Sequence, residues 1–219
     1  MTRPSLPKRF GILGSGEVGQ ALAKGLAANG CEVRIGTRSP GKLAKFSKST
    51  GIKEGTFRDV AAWGQALVLA VLGKAALDAL ELAGPANLKD KLVIDTTNPI
   101  SDEAPEDGVL RYFTQANESL MERLQAAHPR ARLVKAFNSV GSTLMIHPLL
   151  AGGPPTMFIC GNDSEAKAVV AHLLEQVGWE PADMGTAVAA RAIEPLAQLW
   201  CIPGFREDQW MHAFRLLRP

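Results

Sequence analysis

The chain has 219 residues, 46% hydrophobic and 21% charged, with a net charge of +2. That length can bury a full core without staples, and so small a net charge excludes a protein drawn to nucleic acid or membrane by a global field; any basic site must be local. Cys31, Cys160 and Cys201 show no paired spacing, which favours core thiols in a reducing cytoplasm over a disulfide framework or metal ligands.

Taken in order, apolar runs alternate with helical patterns. The N-terminal residues MTRPSLPKRF carry no apolar signal region, and no stretch approaches the ~20 apolar residues of a membrane span. RFGILG reads as a first strand. Residues 17–29 follow as a helix, with Val18, Leu22 and Leu26 spaced by four, and Gly30 stands where a helix-ending glycine belongs. CEVRIGT is a second strand, after which Pro40 opens a helix to about Ser49. GIKEGTF is a weak third strand and FRDVAAW a short helix. QALVLAVL is apolar enough for burial on both faces of a parallel sheet. A helix over 74–83 leads to KLVIDTTNP, the fifth strand. A polar connection over 100–111 and a helix over 115–127 precede ARLVKAFN, the sixth. This alternation predicts an α/β fold: a doubly wound parallel sheet of the Rossmann type with a small C-terminal extension.

From Pro148 the texture changes. LLAGGPPT breaks the pattern, MFICG is a seventh strand, and 164–177 a helix capped by Asp163 or Ser164. WEPADMG is an eighth strand and 186–200 a helix, while 201–219, rich in Trp and Phe, follows no period. The expected organisation is a nucleotide-binding domain over 8–150 and a smaller unit over 151–219 that completes the sheet edge and supplies the acceptor and dimer surface.

Gly14, Gly16 and Gly19 form G-x-G-x-x-G between the first strand and the first helix. The three positions serve a tight turn, the approach of a pyrophosphate to the backbone, and close helix–strand packing. The helix N-terminus adds free amide donors and a positive dipole end. About twenty residues on, an NAD site carries an acid for the ribose hydroxyls. Here the chain reads Thr37-Arg38-Ser39, with Lys42 one turn later. Arg38 can stack on adenine and pair with a 2′-phosphate, Thr37 and Ser39 offer hydroxyls, and Lys42 adds charge. A hydrogen bond to a charged group contributes roughly 1.5–3 kcal/mol, or about ten- to a hundredfold in affinity. The expected cofactor is therefore NADP(H).

Ligands of open α/β sheets lie beyond the carboxyl ends of the strands. Val71 and Leu72 are expected to wall the nicotinamide ribose, Asn98-Pro99 to present an amide to ribose or carboxamide, and Ala136, Phe137 and Asn138 to line the nicotinamide pocket. No metal motif, nucleophile motif or acid–base dyad is present. Tyr112 and His147 are the candidate proton donors. Lys135, inside a strand, is expected to snorkel or pair with a backbone group.

The segments FGILGSGEVGQALAKGLAANGCEVRIGTRSP, VIDTTNP, KAFNSVG and MFICGNDSEAKAVVAHLLEQVGWEPADMG together resemble the deazaflavin-dependent NADP oxidoreductases. The NADPH-binding domain of the six-transmembrane ferric reductases is similar as well. The resemblance implies a Rossmann domain that exchanges hydride directly between NADPH and the deazaflavin coenzyme F-420, in a homodimer built partly from C-terminal segments. It implies that Ser15, Gly16, Glu17 and Val18 meet the pyrophosphate, that Thr37, Arg38, Ser39 and Lys42 meet the 2′-phosphate, and that residues 136–138 lie near the nicotinamide. The leading expectation is an NADPH-dependent oxidoreductase passing hydride to a planar ring, deazaflavin first and flavin second. Two alternatives stand beside it: an NADPH-dependent reductase of a small carbonyl or imine, and an NADP(H)-binding sensor without turnover.

Overall fold

A row of five strand ends organises the molecule. The computed structural model describes residues 3–218; residues 1, 2 and 219, at the ends of the terminal segments read above, lie outside that range. Strand β1 (Arg9–Leu13) is followed by α1 (Glu17–Ala28), β2 (Glu32–Gly36), α2 (Ala44–Thr50), β3 (Lys53–Gly55), α3 (Phe57–Trp63) and β4 (Ala66–Leu69). Then come α4 (Ala76–Ala83), α5 (Pro85–Leu88), β5 (Leu92–Asp95), α6 (Leu120–Ala127) and β6 (Arg132–Lys135). The six strands pair in parallel in the order β3-β2-β1-β4-β5-β6. This is the doubly wound Rossmann sheet expected from the alternation of elements. The register places Gly36, Leu13, Leu69, Asp95 and Lys135 side by side. The loops that begin at Thr37, Gly14, Ala70, Thr96 and Ala136 therefore all leave the sheet along one edge.

Alternate residues of the central strands serve two cores, as the pleat requires. Phe10, Ile12, Val68 and Ile94 face Leu22 and Leu26 of α1 and Phe46 of α2. Leu13, Leu67, Leu69 and Val93 face Val60 of α3, Leu80 of α4 and Leu124 of α6. Each such Leu or Ile contributes roughly 1.5–3 kcal/mol by leaving water. The continuous apolar run of β4 follows from this burial on both faces.

The chain continues through β7 (Thr156–Ile159), α7 (Ser164–Gln176), β8 (Glu180–Asp183), α8 (Ala190–Ile193) and α9 (Pro195–Glu207). β7 and β8 form a separate two-stranded parallel sheet. It meets β6 through one antiparallel bridge, Lys135 to Cys160, rather than a full ladder. α7 nevertheless packs on the main core, with Val170, Leu173 and Leu174 in the same cluster as Phe10 and Val134. Asp163 caps it, accepting from the Ala166 amide at 2.8 Å.

Three element boundaries differ from expectation, each for a local reason. Pro40 does not open α2, because Gly41 is left-handed at φ +82° and the Glu54 carboxylate binds the Gly41 and Leu43 amides into a turn. α6 starts only at Leu120, where Ser119 and Glu122 form a reciprocal capping pair. The last helical pattern divides at Glu194, ahead of Pro195, and α9 runs on to Glu207 through part of the segment expected to be aperiodic.

Candidate functional site

The glycine loop opens the site. Gly14 holds φ +140°, and a Cβ built there would stand 2.0 Å from the Ala70 carbonyl oxygen. A Cβ on Gly19 would stand 2.1 Å from the Gly14 carbonyl oxygen, so α1 rests directly on the loop. Gly16 differs from both: nothing lies within 4 Å of its Cβ position. Gly16 is also the N-cap of α1 and supplies no side-chain cap, so the first-turn amides remain available as donors. The open ground over Gly16 fits a phosphate group approaching those amides.

The corner after β2 is built by Thr37. Its buried hydroxyl accepts from the Ser39 amide at 3.1 Å and donates to the Ser39 carbonyl at 3.3 Å. That turn leaves the exposed Arg38 and Lys42 projecting from it, and among the described residues neither has a carboxylate within 4.0 Å. Glu54, the acid of the neighbouring strand, is already engaged by Gly41 and Leu43. The corner is therefore basic, with no acid placed for a ribose 2′-hydroxyl.

One cleft of about 690 Å³ joins these parts, within the roughly 300–1,000 Å³ of small-molecule sites. It runs from Arg38 and Lys42, past Gly14–Val18, to Thr96, Thr97 and Asn98 after β5. Val71 and Leu72 line it, and Leu72 is 70% exposed. Sequence reading missed other walls: Asp78 and Leu82 on α4, and Ile100 and Asp102 beyond β5. Lys74 and Asp102 form an ion pair between the loops after β4 and β5. The only signal for this in the sequence was that Lys74 follows the Val71-Leu72 pair by two residues, in the same loop after β4.

Some expected residues support the cleft from behind. Gly19 packs under the glycine loop and Pro99 is buried. Ala136, Phe137 and Asn138 are buried at the end of β6 and do not line the cavity. Asn98 lines the cleft, and its amide is also tied to the neighbouring loop. Its Nδ2 donates to the Asn138 carbonyl at 2.7 Å, and its Oδ1 accepts from Asn138 Nδ2 at 3.0 Å. This side-chain clasp fixes the loops after β5 and β6 against each other.

A family model described as NADP oxidoreductase coenzyme F420-dependent matches residues 9–99, from β1 to the loop after β5. The crystal structure of a candidate F420-dependent NADP-reductase from Arthrobacter sp. FB24 superposes with a TM-score of 0.90 at 33% identity, covering 97% of this chain and 100% of that one. The chain belongs to the coenzyme F420-dependent NADP oxidoreductase family. It is also similar to the F420-dependent NADP reductase of Methanocaldococcus jannaschii, 27% identical over 198 residues, which are 85% of this chain and 87% of that protein. Rat metalloreductase STEAP3 is 30% identical over 206 residues, 91% of this chain but 39% of STEAP3. The chain thus spans about two fifths of the length of that relative.

In this member of the family the two candidate proton donors stand away from the cleft. Tyr112 donates its hydroxyl proton to the Glu194 carbonyl at 2.7 Å. Burial, reinforced by the Glu194 charge, raises its pKa well above the usual phenol range and makes it a weaker acid. His147 lies beside Asn29 at the C-terminal cap of α1, with its ring nitrogen 3.3 Å from that side chain. The twelve residues of α1 separate it from the glycine loop by roughly 18 Å at 1.5 Å per residue.

Lys135 neither snorkels nor relies on the backbone alone. It is fully buried, with Nζ 2.6 Å from Asp95 Oδ2, 2.9 Å from Glu194 Oε1 and 2.7 Å from the Thr97 carbonyl. Burial alone would lower its pKa, but the two carboxylates outweigh that and raise it. The ammonium therefore stays charged beneath the loop that ends the cleft.

Proposed function

We propose that the chain binds NADP(H) along this cleft and exchanges hydride with a planar redox acceptor, a deazaflavin first and a flavin second. The observation that carries the reading is the continuity of the cavity. One cleft joins the glycine loop, the basic corner Thr37–Lys42 and the loop Thr96–Asn98. Membership of a family that works with NADP and F420, and similarity to a reductase of that name, support the same reading.

When bound, the cofactor supplies the hydride. The protein's part is to hold and orient it. The α1 amides and the open face of Gly16 would receive the pyrophosphate. Arg38 and Lys42, with the Ser39 hydroxyl, would take the 2′-phosphate; the Thr37 hydroxyl, expected to share in this, instead holds the turn that presents them. Val71 and Leu72 would wall the central sugars, and Thr96–Asn98, backed by residues 136–138, would fix the nicotinamide end. Among the described residues no histidine, tyrosine or cysteine lines the cleft. The titratable groups that do line it are Glu17, Lys74, Asp78 and Asp102, besides the basic corner. This lining gives the carbonyl or imine reading no donor in either expected position.

A homodimer through the C-terminal segment accords with exposed Leu199, Phe205 and Met211 on and after α9. A cytoplasmic setting accords with three free thiols, and no described helix is long and apolar enough to cross a membrane. The test is NADPH oxidation by the purified protein with oxidised coenzyme F-420, run against free flavin and a no-acceptor control. Rapid oxidation with the deazaflavin is the expected result. Tight NADPH binding without turnover on either ring would overturn the acceptor assignment and favour a sensor.

A further inference from the structure

The buried Lys135 cluster joins four separate pieces of backbone. Its Nζ holds the Thr97 carbonyl and the carboxylates of Asp95 and Glu194. Asp95 Oδ1 accepts from the amide and the hydroxyl of Thr97, at 2.9 and 2.7 Å. Glu194, between α8 and α9, accepts from the Leu120 and Met121 amides at the start of α6, at 2.9 and 3.0 Å. Beside it, Asn138 Nδ2 donates to the Ile193 carbonyl at 3.0 Å.

Hydrophobic residues of similar volume hold core elements together at least as well as buried ions do. An ammonium between two carboxylates adds direction, since each group binds at a set distance and angle. Apart from the Lys135–Asp95 pair, which joins the ends of β6 and β5, the bonds of the cluster reach the Thr97 backbone and side chain or the α8–α9 junction. None reaches the glycine loop or the Thr37–Lys42 corner.

We infer that Lys135 and Glu194 are positioning residues for the nicotinamide end of the cleft, tying the C-terminal helices to the loop that carries Thr97 and Asn98. The inference rests on the proposed NADP(H) reading. In it, the adenosine half of the site is set by α1 and the turn after β2, held by Glu54 of β3, while the nicotinamide half takes its shape from the C-terminal unit through this cluster.

The two halves separate experimentally. Adenosine 2′,5′-bisphosphate carries the 2′-phosphate and lacks the nicotinamide, so it probes one half; NADPH probes both. Titrations of Glu194→Gln and Lys135→Met with each ligand, beside a thermal melt, test the assignment. Glu194→Gln keeps the shape and weakens the tie to Lys135, so it stays informative where Lys135→Met fails to fold. The expected result is an NADPH affinity lowered about tenfold, as for one lost charge-assisted hydrogen bond, with bisphosphate affinity unchanged. A merely structural role would weaken both ligands together as the melting temperature fell, and that overturns the proposal. Unchanged NADPH affinity in Glu194→Gln overturns it too. Failure of the unsubstituted protein to bind the bisphosphate would overturn the cofactor reading itself, and this inference with it.

Discussion

Gly19 and Gly14 are in direct backbone contact: the Cβ position of Gly19 falls 2.1 Å from the Gly14 carbonyl oxygen, while that of Gly16, between them, meets nothing within 4 Å. One motif therefore contains two kinds of glycine. Gly14 and Gly19 serve the fold, and Gly16 leaves the backbone open to a ligand.

The distinction is measurable. Gly16→Val is expected to melt within a few degrees of the unsubstituted protein and to lose both NADPH and NADH. Gly19→Ala must push α1 off the loop, an overpacking cost of about 1–3 kcal/mol, and is expected to lower the urea midpoint as well as binding. Retained affinity in folded Gly16→Val would remove the glycine loop from the site.

The clasp between Asn98 and Asn138 predicts a stability effect. Asn138→Ala strips the Asn98 Oδ1 and the Ile193 carbonyl of a donor; the Ile193 bond is the buried one, and leaving that acceptor unpaired costs about 1–3 kcal/mol. Urea denaturation is expected to show a loss in that range, and an unshifted midpoint would mean water replaces the clasp.

Much of this was legible because the informative residues are neighbours in the chain. The glycine loop, the basic corner and the apolar strands each lie within a single short segment, where periodicity and turn chemistry act. The Lys135 cluster was illegible for the opposite reason: Asp95, Lys135 and Glu194 come from three distant segments, and a lone strand lysine gives no sign of its partners. The clasp of Asn98 was illegible in the same way, since its bonding depends on Asn138, forty residues on. The late start of α2 depends on Glu54, a residue beyond the helix it delays. α9 crosses Pro203, and its Trp200 stacks on His212 of the following tail with centroids 5.1 Å apart, packing that no helical period announces.

The joint between β6 and α7 predicts a pH dependence. Arg132 binds both oxygens of Asp163 at 2.7 Å, and Asp163 caps α7. The hydrogen bond from Arg132 holds the Asp163 carboxyl below its ordinary range. A depressed folded pKa stabilises the fold above the unfolded value of about 3.9, and that contribution is lost as pH falls through the folded value. Asp163→Ala is therefore expected to lower the melting temperature at pH 6, with the gap to the unsubstituted protein closing progressively below about pH 4. A gap that stayed constant down to pH 2 would contradict the ion pair's role.

The measurement that bears most directly on the cofactor assignment is a paired titration of Arg38→Ala with NADPH and NADH. Arg38 stands at the end of β2 with no carboxylate to pair with among the described residues, so its charge is available to a 2′-phosphate. The expected result is NADPH binding weakened about ten- to a hundredfold with NADH nearly unchanged. Equal loss for both nucleotides, or none for NADPH, would contradict the reading of this cleft as an NADP(H) site.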